Sequence, residues 1–281
     1  MTIIRRAPCL CVLVAAQMFS QTAQPGQAAQ PAPTQSPAQG KAVAPPAAPA
    51  ATPSPYLRQP TVSESEGAVH ITANSPRPLA QVLDALRQKY KWVVSYEDPQ
   101  FTAAQDLTTA PGNGDERIQL PNGGSFSVDF PATNPDEEKT VRAVVDAYNH
   151  SKNPGRFELR RIPQGDFYVV GIGANDDKGR ISSQQVVFDT PITIAAEDKS
   201  IAETLNAICQ QISSQAHVQV TVGVSPRSLL EHTNVKIGGK ALPARDLLVQ
   251  ALAAIHKTVY WHLLFDPNSK GYYLDIHSAH F

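Results

Sequence analysis

The chain contains few cysteines, and its charges are few and evenly balanced. Three cysteines occur in 281 residues, and two of them, Cys9 and Cys11, lie in the apolar N-terminal segment. Once that segment is removed, Cys209 is the single cysteine left, so no disulfide can form within one chain. Lysine and arginine number 24 against 25 aspartates and glutamates, without a basic cluster. This balance argues against nucleic-acid binding, which needs concentrated positive charge.

The chain also lacks an apolar run long enough for a comfortable membrane-spanning helix. Arg5 and Arg6 precede the apolar segment APCLCVLVAAQMF, and small residues follow as far as Ala28. This succession is typical of a secretory signal peptide. We therefore predict that residues 1–28 direct export and that the mature protein is periplasmic or secreted. An uncleaved signal would instead anchor the protein in the inner membrane and provide its only membrane contact.

Residues 29–66 are predicted to form a disordered linker rich in proline and alanine. They include PAPTQSPAQGKAVAPPAAPAATPSP, in which large apolar side chains are almost absent. Such a composition cannot bury enough apolar surface to fold, and its prolines favour extended backbone. The linker would therefore act as a tether for the part of the chain that follows.

Two blocks of roughly 100 residues follow the linker, a size that suits small domains. The first block spans 67–174, the second spans 186–281, and residues 175–185 are predicted to link them. HITANSPRPLAQVLDALRQKY in the first block and ITIAAEDKSIAETLNAICQQI in the second both read as a strand, a polar turn and a helix. The apolar residues of both helices recur at the spacing of one α-helical face.

The rest of each block repeats the same order. A strand (KWVVSYE or HVQVTVG) is followed by another (FSVDF or VKIGG), a second amphipathic helix and a closing hairpin. Each block therefore reads β-α-β-β-α-β-β, and agreement over so many elements indicates a duplicated module. The predicted fold class is α+β, with two tandem small sandwiches, each with two helices on a mixed sheet, after the disordered N-terminal segment.

The first block carries an insertion at 102–124 that the second block lacks. Within it, the glycines of NGG are predicted to turn a hairpin, and RIQL is predicted to form an extra strand. Residues that favour helix starts precede three of the predicted helices. These residues are Asn74 or Ser75 before Pro76 and Pro78, Asn134 before PDEEKTV, and Asp198 or Ser200 before IAETL.

The order of elements resembles the short N-terminal (STN-like) module of secretins and of TonB-dependent signal-transducing receptors. The most family-like piece is LLxxAL at Leu247, Leu248, Ala251 and Leu252, so the second block carries the resemblance best. The resemblance implies a non-catalytic module that binds a partner protein in the periplasm. In the transducers this partner is an anti-sigma regulator, and in the secretins it is an inner-membrane component.

From this resemblance we expect an exported, non-enzymatic protein–protein interaction module of the cell envelope. It would be associated with a secretin-type secretion or pilus system, or with TonB-type transport or signalling. Its partner would be a secretin, a TonB-system component or an envelope regulator. Because no barrel or pore sequence follows the second block, we expect a stand-alone pair of modules. The alternative is a periplasmic protein that binds glycan or peptidoglycan.

The sequence predicts no catalytic residue, no metal site and no cofactor. A G-x-S-x-G nucleophile motif is absent. The glycine-containing stretch GIGANDDKGR does not end in the Lys-Ser/Thr of a P-loop. His256 and His262 fall on different predicted elements and so lack the spacing of a helical zinc pair. We therefore expect that the chain is not an enzyme.

Adjacent aromatic residues in the closing hairpin of the second block are the candidate interface. Neighbouring side chains of a strand point to opposite faces, so one member of each pair is expected to be buried and the other exposed. Exposed aromatics often anchor partner interfaces, whereas the alternative is cross-strand pairing that only stabilises the hairpin. The candidate residues are Tyr260, Trp261, Tyr272 and Tyr273.

Overall fold

The computed structural model describes residues 59–112, 116–161 and 167–279. The predicted signal peptide and most of the predicted linker lie outside these residues. The described part contains five α-helices and fourteen strands in several sheets, so the predicted α+β class is confirmed. None of its helices is both long and apolar enough to cross a membrane.

The first block follows the predicted order, with four strands in addition. Two of these strands lie in the predicted linkers, and the other two lie in the insertion and pair with each other. The elements are β1 (Thr61–Ser65), β2 (Ala68–Ala73), α1 (Pro78–Tyr90), β3 (Val94–Glu97), β4 (Leu107–Pro111), β5 (Arg117–Pro121), β6 (Phe126–Pro131), α2 (Glu137–His150), β7 (Arg156–Arg161), β8 (Phe167–Asn175) and β9 (Ile181–Ser183).

The second block has the same order of elements, with one short helix in addition. Its helices and strands meet with almost no connecting residues at two points, where a strand passes directly into a helix. The elements are β10 (Pro191–Ser200), α3 (Ile201–Ala216), β11 (Val220–Val222), α4 (Arg227–Glu231), β12 (Asn234–Pro243), α5 (Ala244–Ala253), β13 (Val259–Asp266) and β14 (Gly271–Ser278).

The helix starts agree with the sequence in one case and differ in two. Ser200 caps α3 in a capping box with Glu203, as one of the two predicted residues. Helix α2 is capped by Asp136 and not by Asn134, because the Asp136 carboxylate accepts a hydrogen bond from a backbone N–H of the first turn. Helix α1 begins at Pro78 without a side-chain cap, and proline suits this first position because the N–H that it lacks would have no partner within the helix.

Helices α1 and α3 end in the same way, which supports the alignment of the two blocks. Each is followed by a residue in the left-handed conformation, Lys91 with φ 66° and His217 with φ 53°. Glu97 lies six residues after Lys91, and Gly223 lies six residues after His217. The strands that follow, β3 and β11, are therefore counterparts, as the sequence predicts.

The two blocks share one seven-stranded sheet. Its order is β11-β14-β13-β3-β8-β7, with β9 paired to the far end of β8. The strands of the second block meet those of the first where β13 runs parallel to β3, with His262 opposite Tyr96 and Leu263 opposite Glu97. Strand β13, which closes the second block, is thus an interior strand of the whole sheet.

The helices of the two blocks lie on opposite faces of this sheet. In β8, Phe167 and Val169 pack into one hydrophobic cluster with α1 and α2, while Tyr168 and Val170 pack into the other with α3 and α5. The helices also contact small antiparallel sheets, β1-β2-β6 in the first block and β10-β12 in the second. Each fully buried leucine or isoleucine of these clusters stabilises the fold by about 1.5–3 kcal/mol.

The structure moves two predicted boundaries. Strand β1 lies within residues 29–66, because Glu66 and Gly67 have positive φ and turn the chain back along β2. The predicted linker therefore ends before Thr61. Strand β9 lies within the predicted linker 175–185 and pairs with β8, so this linker contains a short piece of regular structure.

The insertion forms the predicted extra strand but turns at a different place. RIQL lies in β5, which pairs with β4 so that Pro111 lies opposite Arg117, and residues 113–115 between the two strands lie outside the described residues. The predicted turn NGG instead approaches the start of α1. A Cβ built on Gly123 would lie 2.6 Å from Pro78 Cδ and 2.8 Å from the Pro76 carbonyl oxygen, so this close approach requires glycine.

Candidate functional site

Three of the four predicted interface aromatics are buried. Tyr260, Trp261 and Tyr272 are 7%, 4% and 3% exposed, whereas Tyr273 is 42% exposed. The expected exposed aromatic on β13 is therefore absent. Strand β13 is an interior strand of the sheet, so helices cover both of its faces: Trp261 packs in the cluster of α3 and α5, and the guanidinium of Arg87 in α1 covers the Tyr260 ring at 3.8 Å. Tyr273 is the one predicted residue that a partner can reach.

A buried ion pair joins the blocks at the end of β3. Arg245, at the start of α5, donates from Nε to Glu97 Oε1 at 3.1 Å and from Nη2 to Glu97 Oε2 at 2.6 Å. Trp261 Nε1 donates to the same carboxylate at 3.3 Å. Burial opposes the charge of Arg245, but the Glu97 carboxylate raises its pKa above the ordinary value. Two parallel hydrogen bonds of this kind fix orientation as well as distance.

The next residue, Asp98, completes the junction. Its Oδ2 accepts hydrogen bonds from Arg77 Nε at 2.6 Å and from the Phe265 N–H at 3.0 Å. Its Oδ1 accepts a bond from the Tyr96 hydroxyl at 2.7 Å, and Arg77 Nη2 donates to the Phe265 carbonyl at 2.6 Å. Phe265 belongs to the second block, so this network also ties the two blocks together.

An aromatic ring forms the third part of this junction. The Arg245 guanidinium lies 4.6 Å from the centre of the Tyr168 ring, and the Trp261 ring lies 6.2 Å from it. We call Glu97, Asp98 and Tyr168 the first-block docking surface. It receives the side chains of Arg245 and Trp261.

The corresponding surface of the second block is open. Gly223, Val224 and Tyr273 are the counterparts of Glu97, Asp98 and Tyr168 in the strand alignment. Val224 is 66% exposed and Tyr273 is 42% exposed. They line a groove of about 420 Å³, which we call the second-block groove. Its apolar lining consists of Leu120, Val224, Leu264, Phe265, Pro267 and Tyr273.

Two carboxylates and one arginine also line the groove. Arg77 is already paired with Asp98, whereas Asp266 and Asp275 form none of the ion pairs seen among the described residues. Partial burial opposes the charge of Asp266, but hydrogen bonds from Ser269 and Asn268 lower its pKa. The groove therefore combines an apolar floor with an excess of negative charge.

The insertion supplies one wall of the groove. Asn268, in the turn between β13 and β14, accepts a hydrogen bond from the Gln119 N–H at 2.8 Å and donates to the Gln119 carbonyl at 3.0 Å. This pair of bonds holds β5 against the second block and brings Leu120 to the groove. Sequence reasoning missed Leu120, Val224 and Asp275, because each is brought to the site by contacts between distant segments.

The outer strands of the shared sheet are capped by side chains. At β7, Asn149 Oδ1 accepts from the Phe157 N–H at 2.9 Å and Asn149 Nδ2 donates to the Phe157 carbonyl at 2.8 Å. At β11, Ser213 Oγ accepts from the Val220 N–H at 2.8 Å. Such caps occupy backbone groups that would otherwise pair with another strand.

The cysteine that follows the predicted signal peptide is not an available nucleophile. Cys209 is 2% exposed and packs in the hydrophobic cluster of the second block. Burial raises the pKa of its thiol to about 12, so the thiolate needed for nucleophilic chemistry is scarce at neutral pH. The second-block groove is the candidate site, because it is open, has an apolar floor and is lined by two carboxylates outside the ion pairs of the described residues.

Against this geometry, comparison of the chain with family models, curated proteins and solved structures finds no match.

Proposed function

We propose that the chain is an exported, non-enzymatic protein of the cell envelope that binds another protein through the second-block groove. One observation carries this proposal. The counterpart of the groove, the first-block docking surface, is itself a contact between two folded parts, because it receives Arg245 and Trp261. The same surface in the second block is apolar and exposed at Val224 and Tyr273, as partner interfaces often are.

The kind of partner follows from the resemblance to secretin and TonB-receptor modules. It would be a secretin, a TonB-system component or an envelope regulator met in the periplasm. The shared sheet and the Glu97–Arg245 pair give the two blocks a fixed relation. We therefore expect both blocks to meet one target together and not two targets separately.

A photo-crosslinking experiment in intact cells tests the proposal. The full chain carries a photo-reactive amino acid in place of Val224, and a matched chain carries it in place of Ile181, which is 44% exposed and does not line the groove. We expect an envelope protein to be captured from position 224 and not from position 181. Tyr273→Ala should remove the capture. Equal capture from both positions, or capture of no protein, would overturn the proposal.

Binding to glycan or peptidoglycan is the second candidate. The exposed ring of Tyr273 lies in one groove with the carboxylates of Asp266 and Asp275, and a ring beside hydrogen-bond acceptors suits a sugar. The candidate is weaker, since Tyr260, Trp261 and Tyr272 are buried and offer no extended aromatic platform. Co-sedimentation of the full chain with purified cell-wall sacculi, lost in Tyr273→Ala, would favour it over a protein partner.

A further inference from the structure

We infer that the second-block groove recognises an arginine side chain of the partner protein, which stacks on Tyr273 and pairs with Asp275. This inference rests on the proposed protein-binding function and names the chemistry of the partner. It is argued from the first-block docking surface, whose occupant is visible in the structure.

Sheet register shows which residues of the two blocks correspond. In the first block, β3 pairs with β8 so that Val94 lies opposite Phe167. In the second block, β11 pairs with β14 so that Val220 lies opposite Tyr272. Both pairs are parallel, and both pack toward the helices of their own block. The residue after Phe167 is Tyr168, so its counterpart is Tyr273, and both rings point away from those helices.

The first-block surface holds its arginine in two ways at once. The guanidinium of Arg245 lies over the Tyr168 ring at 4.6 Å and forms a two-pronged pair with Glu97. A cation over an aromatic face and a carboxylate in the guanidinium plane are both favourable contacts, and arginine alone among the side chains offers the planar fork for both.

The groove retains both features although one residue has changed. The counterpart of Glu97 is Gly223, which has no side chain. A Cβ built on Gly223 would collide with Oδ1 of Asp275, so the Asp275 carboxylate occupies the place of that missing side chain. Its Oδ1 accepts a hydrogen bond from the Val224 N–H at 2.7 Å, which fixes its position. Tyr273 and Asp275 lie two residues apart on one face of β14, as a ring and an acceptor for one guanidinium.

The groove also indicates what accompanies the arginine. In the first block, the Trp261 ring lies beside Tyr168, and its Nε1 donates to the same Glu97 oxygen as Arg245 Nε. In the groove, Val224 and Leu264 present an apolar surface beside Tyr273. A partner segment that fits carries an apolar or aromatic side chain next to its arginine, and its positive charge complements Asp266 and Asp275.

A second copy of this chain is a poor occupant. In α2 the counterpart of Arg245 is Glu138, since each lies three residues before a matching apolar position, Val141 or Leu248. A copy docked by its first block would bring this carboxylate toward Asp275. The cap of Asn149 on β7 would also have to be displaced. The occupant is therefore a different protein.

Peptide binding to the full chain tests the inference. The probe is the hexapeptide acetyl-Ala-Ala-Arg-Trp-Ala-Ala-amide, and its matched controls carry Gln or Lys in place of Arg. Binding is followed by chemical shifts of the backbone amides in the ¹⁵N-labelled chain. We expect the Arg peptide to shift Val224, Tyr273 and Asp275 and to bind about tenfold more tightly than the Gln peptide, with the Lys peptide between them.

Variants identify the two contacts. Tyr273→Ala and Asp275→Asn should each weaken the Arg peptide several-fold, and Asp198→Asn, an exposed aspartate of β10 outside the groove, should not. A thermal melt of each variant shows whether it remains folded. Asp275→Asn should also bring the affinities of the Arg and Gln peptides together, which a variant that only loosens the fold would not do.

The outcomes separate this inference from the proposed function. Equal binding of the three peptides, shifts confined to other residues, or no binding of the Arg peptide would overturn the arginine inference. If the crosslink from position 224 still captures a protein in those cases, the proposed function stands without it. If that crosslink also fails, the proposed function falls as well.

Discussion

The end of β3 in the first block and the end of β11 in the second are the same place in a duplicated fold, yet they have opposite characters. Glu97 and Asp98 are buried and charged, being 1% and 4% exposed, whereas Val224 is apolar and 66% exposed. In the first block the surface is occupied by the second block, so Glu97 pairs with Arg245, which also pairs with Asp189, and Asp98 pairs with Arg77. In the second block the surface is open, and its carboxylates, Asp266 and Asp275, are only partly buried and accept hydrogen bonds instead of forming ion pairs among the described residues.

The joined and the outer edges of the sheet differ in a related way. At the junction, the Trp261 N–H donates to the Ser95 hydroxyl of the other block at 3.2 Å. At the outer edge, in β7, Phe157 is the counterpart of Trp261. Phe157 lies opposite the residue four positions after Phe167, and Trp261 lies opposite the residue four positions after Tyr272. Its backbone groups are satisfied by Asn149 within its own block. The two blocks are thus joined where β13 pairs with β3, whereas the outer strand β7 is covered by a side chain of its own block.

The largest predicted loss of stability comes from replacing Asp98 of the first block with valine, the residue at its counterpart position 224 in the second block. Asp98→Val removes the acceptor of Arg77, of the Phe265 N–H and of the Tyr96 hydroxyl. Since breaking a buried ion pair on one side leaves the other charge uncompensated, we expect the free energy of unfolding to fall by about 3–5 kcal/mol. Denaturant unfolding of the variant measures this loss.

Glu138→Gln is the matched control for that variant. It breaks an ion pair with Arg142 in which both side chains are well exposed, so the free energy of unfolding should change by less than about 0.5 kcal/mol. If Asp98→Val costs no more than Glu138→Gln, the junction network does not hold the two blocks together.

The second effect concerns the outer edge. Asn149→Ala leaves the N–H and carbonyl of Phe157 without their side-chain partners, and we expect a loss of about 1–3 kcal/mol in the free energy of unfolding. The uncovered strand β7 should also associate as concentration rises, which light scattering would detect. Asn206→Ala, an exposed asparagine of α3, should change neither quantity appreciably. A monomeric, fully stable Asn149→Ala chain would show that the cap is dispensable.

Much of each block could be predicted from its sequence, because the signals are local. The apolar residues Val141, Val144, Val145 and Tyr148 recur at helical spacing, and all four are buried in α2. Helix α3 begins where Ser200 and Glu203 supply a capping box. Such features depend on residues a few positions apart, so the order of elements follows from the chain itself.

The site could not be predicted in the same way, because it depends on pairing between distant segments. The parallel pairing of β13 with β3 places His262 opposite Tyr96 and makes β13 an interior strand. Both Tyr260 and Trp261 are therefore buried, whereas strand alternation alone predicts that one of them is exposed. The carboxylate of Asp275 stands over Gly223 only once β14 and β11 are paired. Aligning the sequences of the two blocks shows Gly223 where the first block has Glu97. It does not show that Asp275, on the neighbouring strand β14, supplies a carboxylate at the same place.

A smaller effect, on the pH dependence of stability, is expected from His262 and His277, which the second block places at the junction. Burial, followed by the neighbouring His262, lowers the pKa of His277 below its ordinary value of about 6.5. The unfolded chain therefore takes up this proton first as the pH falls, and stability present above pH 6.5 is lost below it. The groups that face His277 are Tyr260 and His262 of β13, Asp84 and Arg87 of α1, and Asp275 of β14.

Replacement by the first-block counterpart isolates this contribution. Ile172 lies five residues after Phe167, as His277 lies five after Tyr272. The variant His277→Ile should lose less stability than the natural chain between pH 7.5 and pH 5, measured by denaturant unfolding at each pH. Parallel pH profiles for the two chains would assign the acid sensitivity to other groups.

The smallest effect is expected from the reverse of the first exchange. Val224→Asp places the carboxylate of Asp98 at the counterpart position, where the side chain is 66% exposed and water can solvate it. The free energy of unfolding should change by no more than about 0.5 kcal/mol, because a surface substitution removes no buried partner. A loss above about 2 kcal/mol would show that Val224 belongs to the packed core. If Asp98→Val is costly and Val224→Asp is neutral, the residue type alone does not explain the difference in stability between the two positions. Contact with the second block, which buries Asp98 and not Val224, explains it, and the open copy at Val224 is the surface that we propose for a partner.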